Sequence, residues 1–267
     1  MYLEILGPLA MRGASEDITP TAAKPQQMLA LLALNNGRMV PVSNLLDELW
    51  EDEPPRSART TLHTYVLQVR RMLSAGTVHD VDRREAKAIL TTCQGGYRLQ
   101  LREDEIDTVR FESLSRQGSK CYDDGHMEEA ADLLGQALQV WRGPALAGLN
   151  PGPPLRAEIA RLETQRLVVL DRRLRAELGC GMHGRVLGEL SGLVVSHPMH
   201  ENLHELLMVA LYRSGRRLQA LDAFRTLRRQ LRDEVGLEPG GPIQRLHQAI
   251  IDDDPRLGDT ERPRMLA

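Results

Sequence analysis

A mainly α fold is predicted: a small α+β unit with the order of a winged helix-turn-helix, then an all-α domain of tetratricopeptide-like repeats. Three observations predict it. Residues 1–102 read as short strands, three helices and a glycine-tipped hairpin. From Asp107 onwards the apolar spacing is almost wholly helical. Within that stretch three glycine-led segments resemble one another, and two of them lie one 34-residue repeat apart. The predicted division is therefore 1–102, 103–252 and a flexible tail, 253–267.

Residues 2–20 alternate loosely, with Gly7-Pro8 and Gly13 as breakers, and predict short antiparallel strands. Ala23–Leu34 turns helical: Met28, Leu31, Leu32 and Leu34 share a side, Pro25 sits in the first turn and Gly37 follows as a stop. Ser43 fits the N-cap of a short second helix ending near Trp50. After Pro54-Pro55 a third helix spans about Ser57–Ser74, followed by a polar stretch to about Arg84. Ala88–Thr92 and Tyr97–Leu101 predict two strands, joined by Cys93-Gln94-Gly95-Gly96, where glycine supplies positive φ.

In the helical part the similar segments open at Gly125, Gly181 and Gly215. The wider gap between the first two holds the Gly/Pro-rich loop Gly143–Pro154. Helix pairs of this kind bury their faces only against neighbours, which builds a solenoid. Beyond Ile251 the chain is too polar and proline-bearing to add to a core.

Composition excludes several classes. With 42% hydrophobic and 27% charged residues, the 267-residue chain is an ordinary globular one. It has no apolar run of membrane-span length and no signal-peptide pattern, so a cytoplasmic protein without a membrane partner is expected. Three scattered cysteines make neither a disulfide framework nor a zinc knuckle. No phosphate-binding G-x-x-x-x-G-K-[ST] and no G-x-S-x-G occurs, so no enzyme and no cofactor is expected. His200-Glu-Asn-Leu-His204 matches the zinc-protease pattern H-E-x-x-H. It stands, however, at a helix start after Pro198, inside an unbroken repeat of leucines (Leu203, Leu206, Leu207, Leu211), and no metal site is assigned.

Net charge is only −3, but its distribution is uneven. Between Pro54 and His79 there is no acidic residue, while Arg56, Arg59, Arg70 and Arg71 are present. Just before lies Glu48–Glu53, rich in acids, which would be repelled by phosphate and left for a basic partner. On a helical wheel Val66, Val69 and Leu73 fall within about 40° of Leu62, flanked by Ala58 and Tyr65. The opposite side carries Thr60, Thr64, Leu67 and Arg71, with Thr61, His63 and Gln68 at its margins. Short hydroxyl side chains, an amide and arginines suit a helix lying in a major groove. Arg56, Arg59 and Arg70 lie nearer the flanks, where phosphates are held. Alternation sends Tyr97 inward and Arg98 outward on the hairpin, within reach of backbone or minor groove. Lys24, in the first turn of the first helix, is a further phosphate candidate. A solvated polar face, a DNA-free helical scaffold and a repressor are the alternatives left open.

The segments TPTAAKPQQMLALLALNNGRMVPVSNLLDELW, PPRSARTTLHTYVLQVRRML and GGYRL resemble an OmpR-type winged-helix domain. DTVRFESL, EEAADLLGQALQVWRGPALAGL, the stretch from His197 to Gly240 and IQRLHQAI resemble the bacterial transcriptional activation domain. Together they resemble the SARP family, the Streptomyces antibiotic regulatory proteins. The resemblance implies an activator of a secondary-metabolite (antibiotic) gene cluster that binds direct repeats in double-stranded DNA as a head-to-tail homodimer. It also implies recruitment of RNA polymerase holoenzyme through sigma factor and the alpha C-terminal domain, and a nucleoid-associated location. By that likeness Thr60, Thr61, His63, Thr64, Gln68 and Arg71 read bases, while Lys24, Arg56, Arg59, Arg70 and Arg98 hold the DNA backbone. The chain stops at Ala267 and resembles the small, stand-alone members, with neither a nucleotide-binding module nor a phosphoacceptor domain expected.

Overall fold

The computed structural model describes residues 1–13, 16–75 and 88–258. The polar stretch expected up to about residue 84 and the last part of the tail, 259–267, therefore lie mostly or wholly outside the described residues. The chain divides into two compact units, one of Met1–Ser115 with Gln136–Leu167, the other of Arg116–Gly135 with Val168–Ala267.

In the first unit, β1 (Tyr2–Glu4) and β2 (Ala10–Arg12) pair antiparallel with Leu3 opposite Met11. Helix α1 (Ala23–Leu34) has the expected range but is buried nearly all round, from Gln27 through Ala33. A strand the sequence does not announce, β3 (Met39–Pro41), follows. Three residues are too few to show a period of two. Helix α2 spans Val42–Trp50. Pro41, not Ser43, takes its cap position, and the Ser43 hydroxyl donates to Asn44 instead. Helix α3 runs Ala58–Ala75. The hairpin consists of β4 (Leu90–Cys93) and β5 (Gly96–Leu99). Ala88 and Ile89, expected as strand, are helical.

The strand order β3-β5-β4 is antiparallel throughout, with Tyr97 between Val40 and Thr92. Gly96 is required there, because a Cβ would stand 2.3 Å from the Val40 carbonyl oxygen. Met28, Leu29 and Leu32 of α1, Leu45 and Leu49 of α2, and Leu62, Val66, Val69 and Leu73 of α3 fill the core. Three helices and a hairpin around one apolar centre make the winged helix-turn-helix that the order of elements predicts.

Among the described residues the regular elements further along are all helices: α4 (Asp107–Asp123), α5 (Met127–Gln139), α6 (Pro153–Gly179), α7 (His183–Ser196), α8 (Glu201–Arg213), α9 (Arg217–Val235) and α10 (Gly241–Ile251). The glycine repeat has a backbone reason. Gly125, Gly181 and Gly215 have φ of 86°, 77° and 73°, and the next helix opens two residues after each. Only glycine adopts that left-handed turn without strain. In the second unit α7 to α10 pack leucine against leucine around Leu190, Leu206, Leu227 and Leu246. Phe224 stacks on His247 with ring centres 4.0 Å apart. Part of the segment read as a tail is held down here: Tyr212 Oη donates to Asp253 (2.8 Å) and Arg213 Nε to the Leu257 carbonyl (2.9 Å). No helix among the described residues is long and apolar enough to cross a membrane.

Candidate nucleic-acid interface

Helix α3 is divided lengthwise. Ala58, Leu62, Val66, Val69 and Leu73 are buried, the stripe that the wheel predicts. Tyr65 flanks it and stacks on Trp50 at the end of α2, ring centroids 6.4 Å apart. With one side anchored, the other faces solvent. Arg59, Thr60, His63, Thr64, Leu67 and Arg71 are exposed, and Thr61 and Gln68 are half-buried at the margins. The structure thus brings the six candidate base-reading side chains onto one strip of a single helix.

The strip has its own chemistry. The Thr64 hydroxyl donates to the Thr60 carbonyl at 3.2 Å. Its proton is engaged, which leaves the oxygen to act as an acceptor. His63 meets Tyr97 of the hairpin edge to face, centroids 6.3 Å apart. Its ring therefore also locates the wing. Burial raises the Tyr97 hydroxyl above its ordinary pKa, so that residue is neutral.

The candidate backbone-holding residues separate. Arg56 and Arg59 are exposed at the approach to α3 and in its first turn. Arg70 is occupied: Nε donates to the Leu90 carbonyl (2.9 Å) and a terminal nitrogen to Thr92 Oγ1 (2.9 Å). It fastens α3 to β4. Arg98 lies on the face of the hairpin away from Tyr97, half-buried, with Nε unpaired. Lys24 stands apart from the strip, its ammonium on the Leu49 carbonyl and 4.8 Å above the Trp50 ring.

Two carboxylates that sequence reasoning missed hold this arrangement. Glu48, expected among the acids left for a basic partner, is buried. It accepts hydrogen bonds from the backbone N–H of Gly152 (2.7 Å) and Leu155 (2.9 Å), unpaired donors at the start of α6. Gly152 packs so closely that a Cβ would stand 2.3 Å from the Glu48 carbonyl oxygen. The available signal was position: Glu48 falls beside Leu45 and Leu49 on the apolar side of α2. Asp107 Oδ2 accepts from Ile5 N (2.7 Å) and Leu6 N (2.8 Å), with Arg142 at 3.5 Å. Burial raises the pKa of both acids against the pull of those donors. Glu51 pairs with Arg156 at 2.9 Å, which leaves Asp52 and Glu53 as the exposed acids of Glu48–Glu53 without an ion pair among the described residues.

The H-E-x-x-H match is divided by its fold. His200 takes the N-cap position of α8, while His204 is buried with Nε2 3.0 Å from the Pro198 carbonyl. Burial lowers the pKa of His204. Among the described residues no three His, Cys, Asp or Glu side chains are grouped to hold a metal ion.

Comparison with known proteins agrees with both parts of the chain. Residues 16–99 match the family model of the C-terminal domain of transcriptional regulatory proteins, and residues 106–251 that of the bacterial transcriptional activator domain. The chain is similar to the regulatory protein DnrI of Streptomyces peucetius, 45% identical over 96% of this chain and 94% of that protein. It is 36% identical to the regulatory protein AfsR of Streptomyces coelicolor, over 96% of this chain but 24% of the longer relative. A solved structure of Mycobacterium tuberculosis EmbR in complex with a low-affinity phosphopeptide superposes with a TM-score of 0.88 at 30% identity. The match covers 94% of this chain and 65% of that one.

Proposed function

Since the chain belongs to the SARP family of transcriptional regulators and carries its OmpR-type DNA-binding domain, we propose that it activates a secondary-metabolite gene cluster by binding direct repeats near the promoter. The observation that carries this reading is the exposed strip on α3, polar and arginine-bearing, opposite a stripe that is wholly buried.

In this reading residues 1–102 bind DNA, residues 103–252 form the activation domain and residues 253–267 follow as a tail whose start is docked through Asp253 and Leu257. Helix α3 lies in the major groove. Thr60, Thr61, His63, Thr64, Gln68 and Arg71 face base edges, where a guanidinium pairs with guanine and an amide with adenine. Thr64, with its proton engaged, serves as an acceptor for a base amino group. Arg56 and Arg59 neutralise phosphates without reading sequence. Arg98 reaches the backbone from the wing. Arg70 contributes chiefly by fixing the wing, and Lys24 only after leaving Leu49 and Trp50. RNA polymerase holoenzyme is the second partner, with Asp52 and Glu53 offered to a basic surface. The protein would act in the cytoplasm, at the nucleoid.

Footprinting of the full chain on the DNA upstream of its own gene cluster tests the reading. A protected pair of repeats, and a run-off transcript that rises when the protein is added to holoenzyme, are expected. Absence of any sequence-specific protection contradicts DNA reading; a transcript that falls indicates a repressor.

A further inference from the structure

One side chain on the strip does not fit the polar pattern. Leu67 is 52% exposed in the middle of α3. Its neighbours one turn away, His63, Thr64, Arg70 and Arg71, are all polar, while Leu62, Val66, Val69 and Leu73 of the same helix are buried. Among the described residues of unit one the other large apolar side chain with comparable exposure is Met39, which leans on Gly96 of the sheet. Leu67 instead stands on the solvent-facing side of α3, opposite the buried stripe.

Resting on the reading of α3 as the groove-binding helix, we propose that Leu67 determines sequence specificity by packing against the 5-methyl group of a thymine. The major groove presents a single apolar substituent among its hydrogen-bonding edges, and that is the thymine methyl. A leucine at the centre of the strip desolvates this group without competing for a donor or acceptor. The Thr64 hydroxyl, turned back onto the Thr60 carbonyl, leaves a methyl-bearing side chain beside it. Thr60, Thr64, Leu67 and Arg71 follow one another at helical spacing. The bases read by Thr64 and Arg71 therefore flank the thymine read by Leu67. Leu67 thus supplies the apolar term in a readout whose other terms are hydrogen bonds.

The test uses the full chain and the duplex it protects in footprinting, with each thymine replaced in turn by deoxyuridine, which lacks only the methyl group. One replacement is expected to weaken the wild type about fourfold, the value of one buried methyl-sized group. Leu67→Ala should bind the unmodified duplex correspondingly less well and lose its sensitivity at that position alone. Leu67→Gln, matched in size but polar, should behave like the alanine variant, which separates apolar contact from bulk. Since Leu67 is exposed, both variants should melt within about 1 °C of the wild type. The proposal is overturned if the wild type is indifferent to every replacement, or if Leu67→Ala responds to all of them as the wild type does. In either case the footprint still stands for the reading of α3. Were no duplex protected at all, both would fall together.

Discussion

At the level of single side chains, two buried carboxylates hold the fold that presents α3. Asp107 satisfies the backbone N–H groups of Ile5 and Leu6, about a hundred residues away, and Glu48 does the same for the start of α6. Neither role is legible in the sequence, because a carboxylate that caps a distant backbone leaves no periodic trace. The α3 stripe, by contrast, was legible residue by residue, since a core-facing helix repeats its apolar positions. Burial raises the pKa of Asp107 above its ordinary value of 3.8. The folded state therefore holds this proton to higher pH than the unfolded state does. That part of the stability is present below the unfolded pKa and is lost as pH rises through the raised folded pKa. Urea unfolding of the wild type and of Asp107→Asn across this range should show the wild type's relative stability falling with rising pH. A constant or rising difference would mean that the hydrogen bonds and Arg142 outweigh desolvation.

Among the elements, the hairpin and α3 form one piece because Arg70 bridges them and His63 abuts Tyr97. Sequence patterning placed Arg70 on the flank of α3 and so among the phosphate contacts. It could not show that β4 would arrive there to claim the guanidinium. β3 went unread for a different reason: three residues that owe their strand conformation to pairing with β5 carry no signal of their own. Arg70→Ala should cost about 1 kcal/mol, seen as a Tm about 2–4 °C lower, and weaken DNA binding by loosening the wing. Arg56→Ala should leave Tm unchanged and reduce the slope of binding against salt by about one unit, equally for all sequences. Should Arg70→Ala reproduce the Arg56 pattern instead, its contacts with Leu90 and Thr92 would be incidental to holding the wing.

For the molecule as a whole, a net charge of −3 gives no general attraction to nucleic acid, so binding depends on local placement of arginines. The two-part organisation was legible because winged-helix order and a 34-residue repeat are both written in spacing. The compact units were less so: residues 136–167 belong with the N-terminal unit, through Glu48 and Asp107 contacts that spacing does not encode. If two copies occupy direct repeats on one face of the duplex, the repeats should lie about 10–10.5 bp apart or a multiple of it. Inserting about half a turn between them should abolish cooperative binding, and a full turn should restore much of it. Binding that ignores the half-turn insertion would mean that each copy binds alone.

The claim on which these expectations depend is that the outer strip of α3 reads bases. Titration of Arg71→Ala against the protected duplex and a scrambled one tests it most directly. A loss of about 1–3 kcal/mol on the protected duplex, roughly 5- to 150-fold, is expected, with little change on the scrambled one. Equal affinity of variant and wild type for the protected duplex, or the same loss on both duplexes, would contradict it.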